Sequence, residues 1–244
     1  MCFHTELTSH IEPLDEAKRG LRLLAEAGMK KINISGGEPF LKPKFLGEII
    51  KYCKKDLNLE STGIICNGSK VTEKWLDEYG QYLDIMGVSC DSFDDETNMR
   101  IGRSEKKKTV HTRNMNYGIE ELAPFRWKVF QVLLLEGENK GPEALRNAQN
   151  MTITDEQFKA FLARHQSQKC LVPEDNKAME SSYLLVDEFM RFLNCEGGKK
   201  VPGRSILKVG VEAALKEAGW HTETFVERGG IFEWERKREE GLSW

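Results

Sequence analysis

Apolar residues recur at three- and four-residue steps from Leu14 through Ala17, Leu21 and Leu24, the spacing that gathers side chains on one face of a helix. Pro13 stands at its start and Gly28 is placed to end it. Next comes Lys31-Ile32-Asn33-Ile34-Ser35, whose alternation predicts a short strand, closed by the tight loop Gly36-Gly37-Glu38-Pro39. The rhythm then repeats, predicting a helix over residues 45–54, a strand over 63–66, a helix over 72–82 and a strand over 85–89. Strands separated by helices pair in parallel, because only a crossover of about a dozen residues returns the chain in the same direction. The pattern is that of an α/β fold, a partial (β/α) barrel.

Beyond Arg103 the rhythm falters. Residues 104–116 are polar, carry the basic run Lys106-Lys107-Lys108, and hold no apolar strand where a regular barrel would place one before Arg126. Alternation then predicts a long strand over 126–135, a helix over 154–165, a short strand over 183–186 and a helix over 206–218. In the tail, Phe225-Val226-Glu227-Arg228 and Ile231-Phe232-Glu233-Trp234 flank Gly229-Gly230, two alternating arms about a two-residue turn, which predicts a hairpin. The expected division is a truncated barrel over 1–195 and a C-terminal extension with helix, hairpin and tail over 196–244.

Composition narrows the possible partners. A chain of 244 residues, 39% hydrophobic, can bury one substantial core. Its formal charge of −3 offers no basic field for a polynucleotide backbone, so no nucleic-acid partner is expected, while a small anionic ligand stays possible. Cys2, Cys53, Cys66, Cys90, Cys170 and Cys195 lack the dense spacing of a secreted disulfide scaffold, which points to a reducing, cytoplasmic compartment. No apolar run reaches the length of about 20 residues that spans a bilayer, so no membrane segment is expected.

The candidate chemistry lies on two strands. A strand sends residues two apart to the same face, so Lys31, Asn33 and Ser35 share one face, and so do Arg126 and Lys128. If the apolar faces pack under helices, these cations point into the barrel, where buried charge needs an anion such as a triphosphate. Arg126 suits a forked grip on oxygens and the lysines act as compact charges. An edge-strand position that turns them to solvent is the alternative. The two glycines after the first strand let a ligand approach the backbone closely, at the strand end where α/β barrels keep their active sites; a plain turn would have the same composition.

The stretch Lys31-Ile32-Asn33-Ile34-Ser35-Gly36-Gly37-Glu38-Pro39-Phe40 resembles the glycine motif of the viperin family of radical S-adenosylmethionine (SAM) enzymes. Further segments resemble that family in the same order: Cys2-Phe3-His4-Thr5, Ser89-Cys90-Asp91-Ser92-Phe93, Ile101-Gly102-Arg103, Arg126-Trp127-Lys128-Val129-Phe130-Gln131, Glu136-Gly137-Glu138-Asn139 and Ser182-Tyr183-Leu184. The resemblance implies a radical SAM type of barrel whose [4Fe-4S] cluster reduces SAM to a 5′-deoxyadenosyl radical that takes a hydrogen atom from the ribose of CTP. The product implied is a didehydro-dideoxy CTP that terminates viral RNA chains. By position, Gly36, Gly37, Glu38 and Pro39 would hold the SAM amino group, with Ser89 and Arg103 near its carboxylate. Lys31, Arg126 and Lys128 would bind the triphosphate with Asn33 nearby, and Cys2 would be a cluster ligand. Tyr183 would be the hydrogen donor near the ribose; without the family it reads as an ordinary core tyrosine. The terminal Leu242-Ser243-Trp244 resembles the family's tripeptide for the cytosolic iron–sulfur targeting machinery, with serine at the middle position.

Two departures qualify the resemblance. The family holds its cluster on three thiolates, of which this sequence supplies Cys2, with Met1 where the residue before the third cysteine belongs. Between Arg103 and Arg126 the family has a further strand with a triphosphate-binding lysine and a neighbouring asparagine. Two expectations follow: an incomplete copy of a nucleotide-modifying enzyme, or a non-catalytic nucleotide-binding or interaction protein that keeps the barrel shell.

Overall fold

A computed structural model describes residues 9–100, 115–134, 136, 139–142, 144, 147–176 and 183–227. Helix α1 (Leu14–Glu26) and strand β1 (Lys31–Ile34) form as the periodicity requires. They are followed by α2 (Pro43–Lys51), which widens into a π-helical turn Tyr52–Asp56, then β2 (Ser61–Cys66), α3 (Glu73–Tyr79) and β3 (Ile85–Val88). The three strands make a parallel sheet in the order β1-β2-β3. Thr72 starts α3 by accepting the Trp75 N–H on its side chain, which satisfies a donor the first helical turn leaves open.

One face of this sheet carries the core. Ile32 and Ile34 of β1 pack against Ala17 and Leu21 of α1 and Ile49 of α2, while Ile34 and Met86 join Phe40, Leu46, Ile50, Ile64, Trp75 and Tyr79. The helices therefore cover the Ile32/Ile34 side, and Lys31, Asn33 and Ser35 take the opposite side of the strand. At the N-terminal end of the sheet Asp84 accepts the Thr62 N–H at 2.8 Å and pairs with Lys54 at 2.7 Å. That half-buried cluster pins the start of β2 to the turn before β3.

Among the described residues the sheet stops at β3. Helix α4 (Asp95–Arg100) follows it, and after α5 (Asn116–Leu122) the next strand, β4 (Trp127–Phe130), pairs in parallel not with β3 but with β5 (Leu171–Glu174), in a separate two-stranded sheet. Residues 101–114, where the sequence pattern lacks a strand, lie outside the described residues. The strand expected over 126–135 is also shorter, ending at Phe130, because the ladder with β5 runs only from Trp127↔Leu171 to Phe130↔Glu174. Helix α6 (Asp155–Arg164) begins in a full capping box, with Thr154 and Gln157 each satisfying the other's backbone N–H. It packs on β4 through Trp127, edge-on to Phe161 and His165. His165 is fully buried; its Nε2 accepts the Met115 N–H at 3.0 Å and its Nδ1 donates to Phe161 O at 2.8 Å. Those roles fix one neutral tautomer and tie the start of α5 to α6.

A third sheet, antiparallel β6-β7-β8, comprises β6 (Leu185–Val186), β7 (Arg191–Asn194) and β8 (Val201–Ser205), followed by α7 (Ile206–Val209), α8 (Val211–Leu215) and α9 (Thr222–Glu227). Phe192 of β7 and Ile206 of α7 pack on Leu24, so this sheet docks on α1. The single helix expected over 206–218 is broken at Gly210, whose φ of 79° is a left-handed value that a helix cannot contain. Phe225, Val226 and Glu227, expected in a hairpin arm, are helical in α9, where Phe225 N–H reaches back to His221 O and the ring lies 5.8 Å from that of Trp220. The other proposed arm, at 231–234, lies outside the described residues.

Candidate functional site

The glycine loop emerges from β1 with Gly36 at φ 90° and Gly37 at φ 54°, left-handed values that glycine adopts without strain. A Cβ on either would meet nothing within 4 Å, so the outer side of the loop is open to a ligand. Its inner side is fixed. Glu38 is extended, its Oε1 accepts the Phe40 N–H at 3.1 Å, and its Oε2 accepts the Asn67 N–H at 2.8 Å. One carboxylate thus caps the turn Pro39–Leu41 and binds the loop after β1 to the loop after β2. Behind it, Phe40 is buried edge-on to Trp75, 4.9 Å between ring centres. Glu38 also bears on Cys66: burial raises that thiol's pKa, a backbone hydrogen bond with Gly68 opposes the shift, and the Glu38 charge adds to it.

Beside the loop, Asn33 lies on the sheet face turned away from the helices. Its partner in register is Gly63, and the Asn33 amide fills the space a Gly63 side chain would need. Ser89 sits exposed just past β3, its N–H donating to Cys66 O at 2.8 Å. Gly36, Gly37, Glu38, Pro39 and Ser89 all stand at the C-terminal ends of parallel strands, the end that ligands use in such sheets.

A second group forms on β4 and β5. Trp127 faces α6, so Lys128 takes the other side of the strand, with Arg126 two residues before it and its Nε and Nη1 atoms buried. Lys128 Nζ is ion-paired with Glu174 and donates to the Tyr183 hydroxyl at 3.2 Å. The Tyr183 hydroxyl in turn donates to the second oxygen of Glu174. The ammonium also lies 5.3 Å from the centre of the Phe130 ring and 5.8 Å from that of Tyr183. Tyr183 stands two residues before β6 rather than in it, and its hydroxyl is tied into this polar group. Glu174, only 6% exposed, is absent from the sequence-level site because Pro173 interrupts the segment that carries it. Among the described residues β5 is paired on one side only, an edge position that tolerates Pro173.

Cys2, Arg103 and Leu242-Ser243-Trp244 lie outside the described residues. The described cysteines are dispersed: Cys53 is buried and desolvation pushes its thiol up to about 12, Cys195 is raised by burial, and Cys90 is exposed. Among the described residues no three His, Cys, Asp or Glu side chains converge as a metal site would need, and no helix is long and apolar enough to cross a membrane.

Comparison with known proteins identifies the family of the chain. Residues 3–146 match the radical SAM superfamily. The whole chain aligns at 49% identity with the S-adenosylmethionine-dependent nucleotide dehydratase RSAD2 of Danio rerio, covering 76% of that protein, and at 47% with that of Oncorhynchus mykiss, covering 78%. A bacterial S-adenosylmethionine-dependent nucleotide dehydratase, from Lacinutrix mariniflava, is 34% identical over 94% of this chain and 53% of its own length. The Danio alignment spans 274 positions against the 244 residues here, so the relative carries residues without a counterpart inside this chain. Identity at this level over the full length shows common descent, and the chain belongs to the radical SAM superfamily and, within it, to the family of the S-adenosylmethionine-dependent nucleotide dehydratases.

Proposed function

We propose that the chain is a viperin-like nucleotide-converting protein that binds a nucleoside triphosphate, CTP, on the sheet faces turned away from the helices. Lys31, Arg126 and Lys128 hold the triphosphate, Asn33 lies near it, and Tyr183 faces the ribose as hydrogen donor. The observation that carries this reading is the sidedness of the strands: Ile32 and Ile34 face the helical core and Trp127 packs on α6, which leaves the cationic positions for the other face. The names of the relatives, nucleotide dehydratases, support the substrate class.

Family membership implies a [4Fe-4S] cluster and SAM as cofactors. The glycine loop fits SAM: Gly36 and Gly37 leave backbone open where a Cβ would meet no atom. Gly36, Gly37, Glu38 and Pro39 would hold its amino group, with Ser89 and Arg103 at its carboxylate. Bound there, SAM supplies the reactive fragment that abstracts hydrogen in this superfamily. The described residues do not fit a cluster, since no group of three ligands converges; the ligand position assigned by resemblance, Cys2, lies outside them. Docking of Leu242-Ser243-Trp244 on iron–sulfur targeting machinery, and a cytoplasmic location, belong to the same proposal.

A second reading has its own support. Among the described residues the sheet ends at β3 and β4 pairs separately with β5, which favours a chain that keeps the nucleotide site without the complete barrel and would bind CTP without converting it. One experiment separates the two. The protein is treated with iron and sulfide under anaerobic conditions, then given SAM, dithionite and CTP. Formation of 5′-deoxyadenosine with loss of CTP is the result expected of the enzyme once the family's two further cluster cysteines are joined to the chain, and none is expected with Cys2 alone. CTP binding by calorimetry without either product is the result expected of a binding protein, and failure to bind CTP overturns both.

A further inference from the structure

The ion pair of Lys128 carries a consequence for how the site would work. Glu174 sits opposite Phe130 in the β4–β5 ladder, and its carboxylate, 6% exposed, is shared between the Lys128 ammonium and the Tyr183 hydroxyl. A carboxylate this deep is stable only when its oxygens are compensated, and here both have partners. The Tyr183 proton points at Glu174 while the phenol oxygen accepts from Lys128. The three groups come from β4, from β5 and from the turn before β6, so one side chain links three segments.

We propose that Glu174 is a positioning residue: it tethers the phosphate-binding Lys128 to the phenol of Tyr183, at the expense of affinity for the triphosphate. This rests on the nucleotide reading above. Because Lys128 is already compensated within the protein, an incoming triphosphate shares the ammonium with Glu174 and feels the carboxylate's repulsion. In return the phenol is held in one orientation, its proton directed along the Glu174 hydrogen bond. Among the described residues Lys54 offers an internal comparison, since it is a similarly exposed lysine paired with Asp84 far along the chain.

The test compares wild type with Glu174→Gln, which keeps the size and removes the charge, and Glu174→Asp, which keeps the charge. Calorimetry with CTP is expected to show about tenfold tighter binding by Glu174→Gln, the effect of removing one unit of negative charge beside an anion, and near wild-type affinity for Glu174→Asp. A role confined to holding the fold would weaken binding instead. A second readout needs no nucleotide: acetylation of lysines by N-hydroxysuccinimidyl acetate, followed by mass spectrometry. Lys128 is expected to be as protected as Lys54 in the wild type and to label about tenfold faster in Glu174→Gln, because losing the carboxylate favours the neutral amine. Unchanged Lys128 labelling overturns the tether, as does unprotected Lys128 in the wild type should Glu174→Gln fail to fold. If wild type binds CTP but Glu174→Gln binds equally or more weakly, the affinity trade is overturned and the nucleotide reading survives. If labelling changes but no variant binds CTP, the tether stands and the nucleotide reading fails.

Discussion

Asn33 and Gly63 face each other across the β1–β2 ladder so closely that a Cβ on Gly63 would stand 2.0 Å from Asn33 Oδ1. The missing side chain at Gly63 leaves the space that the asparagine amide occupies, and the atom in the way is the end of a side chain that can swing aside. Gly63→Ala is therefore expected to change stability by less than about 1 kcal/mol, yet to lower CTP affinity as much as Asn33→Ala does. Calorimetry on both variants and on the double variant checks this: the double variant is expected to lose no more than either single one, whereas additive losses would show that the two positions act separately.

Glu38 is expected to matter for SAM because it fixes two loops at once. Glu38→Ala leaves the Phe40 and Asn67 N–H groups without their acceptor and should cost about 1–3 kcal/mol in urea denaturation. SAM binding by equilibrium dialysis should fall with it. Glu38→Gln retains one acceptor oxygen and is expected to lie between. SAM affinity unchanged in Glu38→Ala would remove the loop from the SAM site.

Cys53 gives stability an alkaline limit. Its thiol is held up to about 12 by burial, against an ordinary value of 9.0, so the folded state keeps the proton that the unfolded chain loses. The contribution is intact below pH 9 and is lost as pH rises from 9 towards 12. Cys53→Ala is expected to be less stable at neutral pH, from the lost packing, and to decline less steeply over that alkaline window. Denaturation midpoints across the range test it; parallel curves would contradict it.

The interrupted sheet predicts a gain on repair. A chimaera carrying the segment of the Danio rerio relative that spans Arg103 to Arg126 should gain a strand between β3 and β4, each paired on one side only among the described residues, cover those edges, and melt several degrees higher. Calorimetric melting against the present chain decides the matter. A lower melting temperature would mean that the present arrangement has repacked around the gap.

The first half of the fold was legible because each helix and strand there stands on a local pattern. Leu14, Ala17, Leu21 and Leu24 mark a helix face, Ile32 and Ile34 a strand face, and Gly36-Gly37 an open turn, and the structure has each in place. The gap expected between Arg103 and Arg126 falls largely on residues 101–114, outside the described residues. In the second half, breakers hid the strands. Pro173 lies in β5, and Pro202 and Gly203 lie in β8, at positions where pairing on one side or a bulged register tolerates them. Gly210 and the helical Phe225–Glu227 stretch show the reverse error, where a continuous local pattern was broken at the left-handed Gly210 or recoiled with Phe225 against Trp220.

The candidate site divides along the same line. Sequence by itself determined the residue types and their strand faces: Lys31 with Asn33, Arg126 with Lys128, and a glycine loop at a strand end, because a period of two is a property of the chain alone. Only the tertiary structure decided that Lys128 meets Glu174 and Tyr183, and that Glu38 spans two loops. Residues 46 and 55 positions apart along the chain have no periodic relation to one another. They meet because the backbone ladder of β4 and β5, and the entry to β6, bring them within reach.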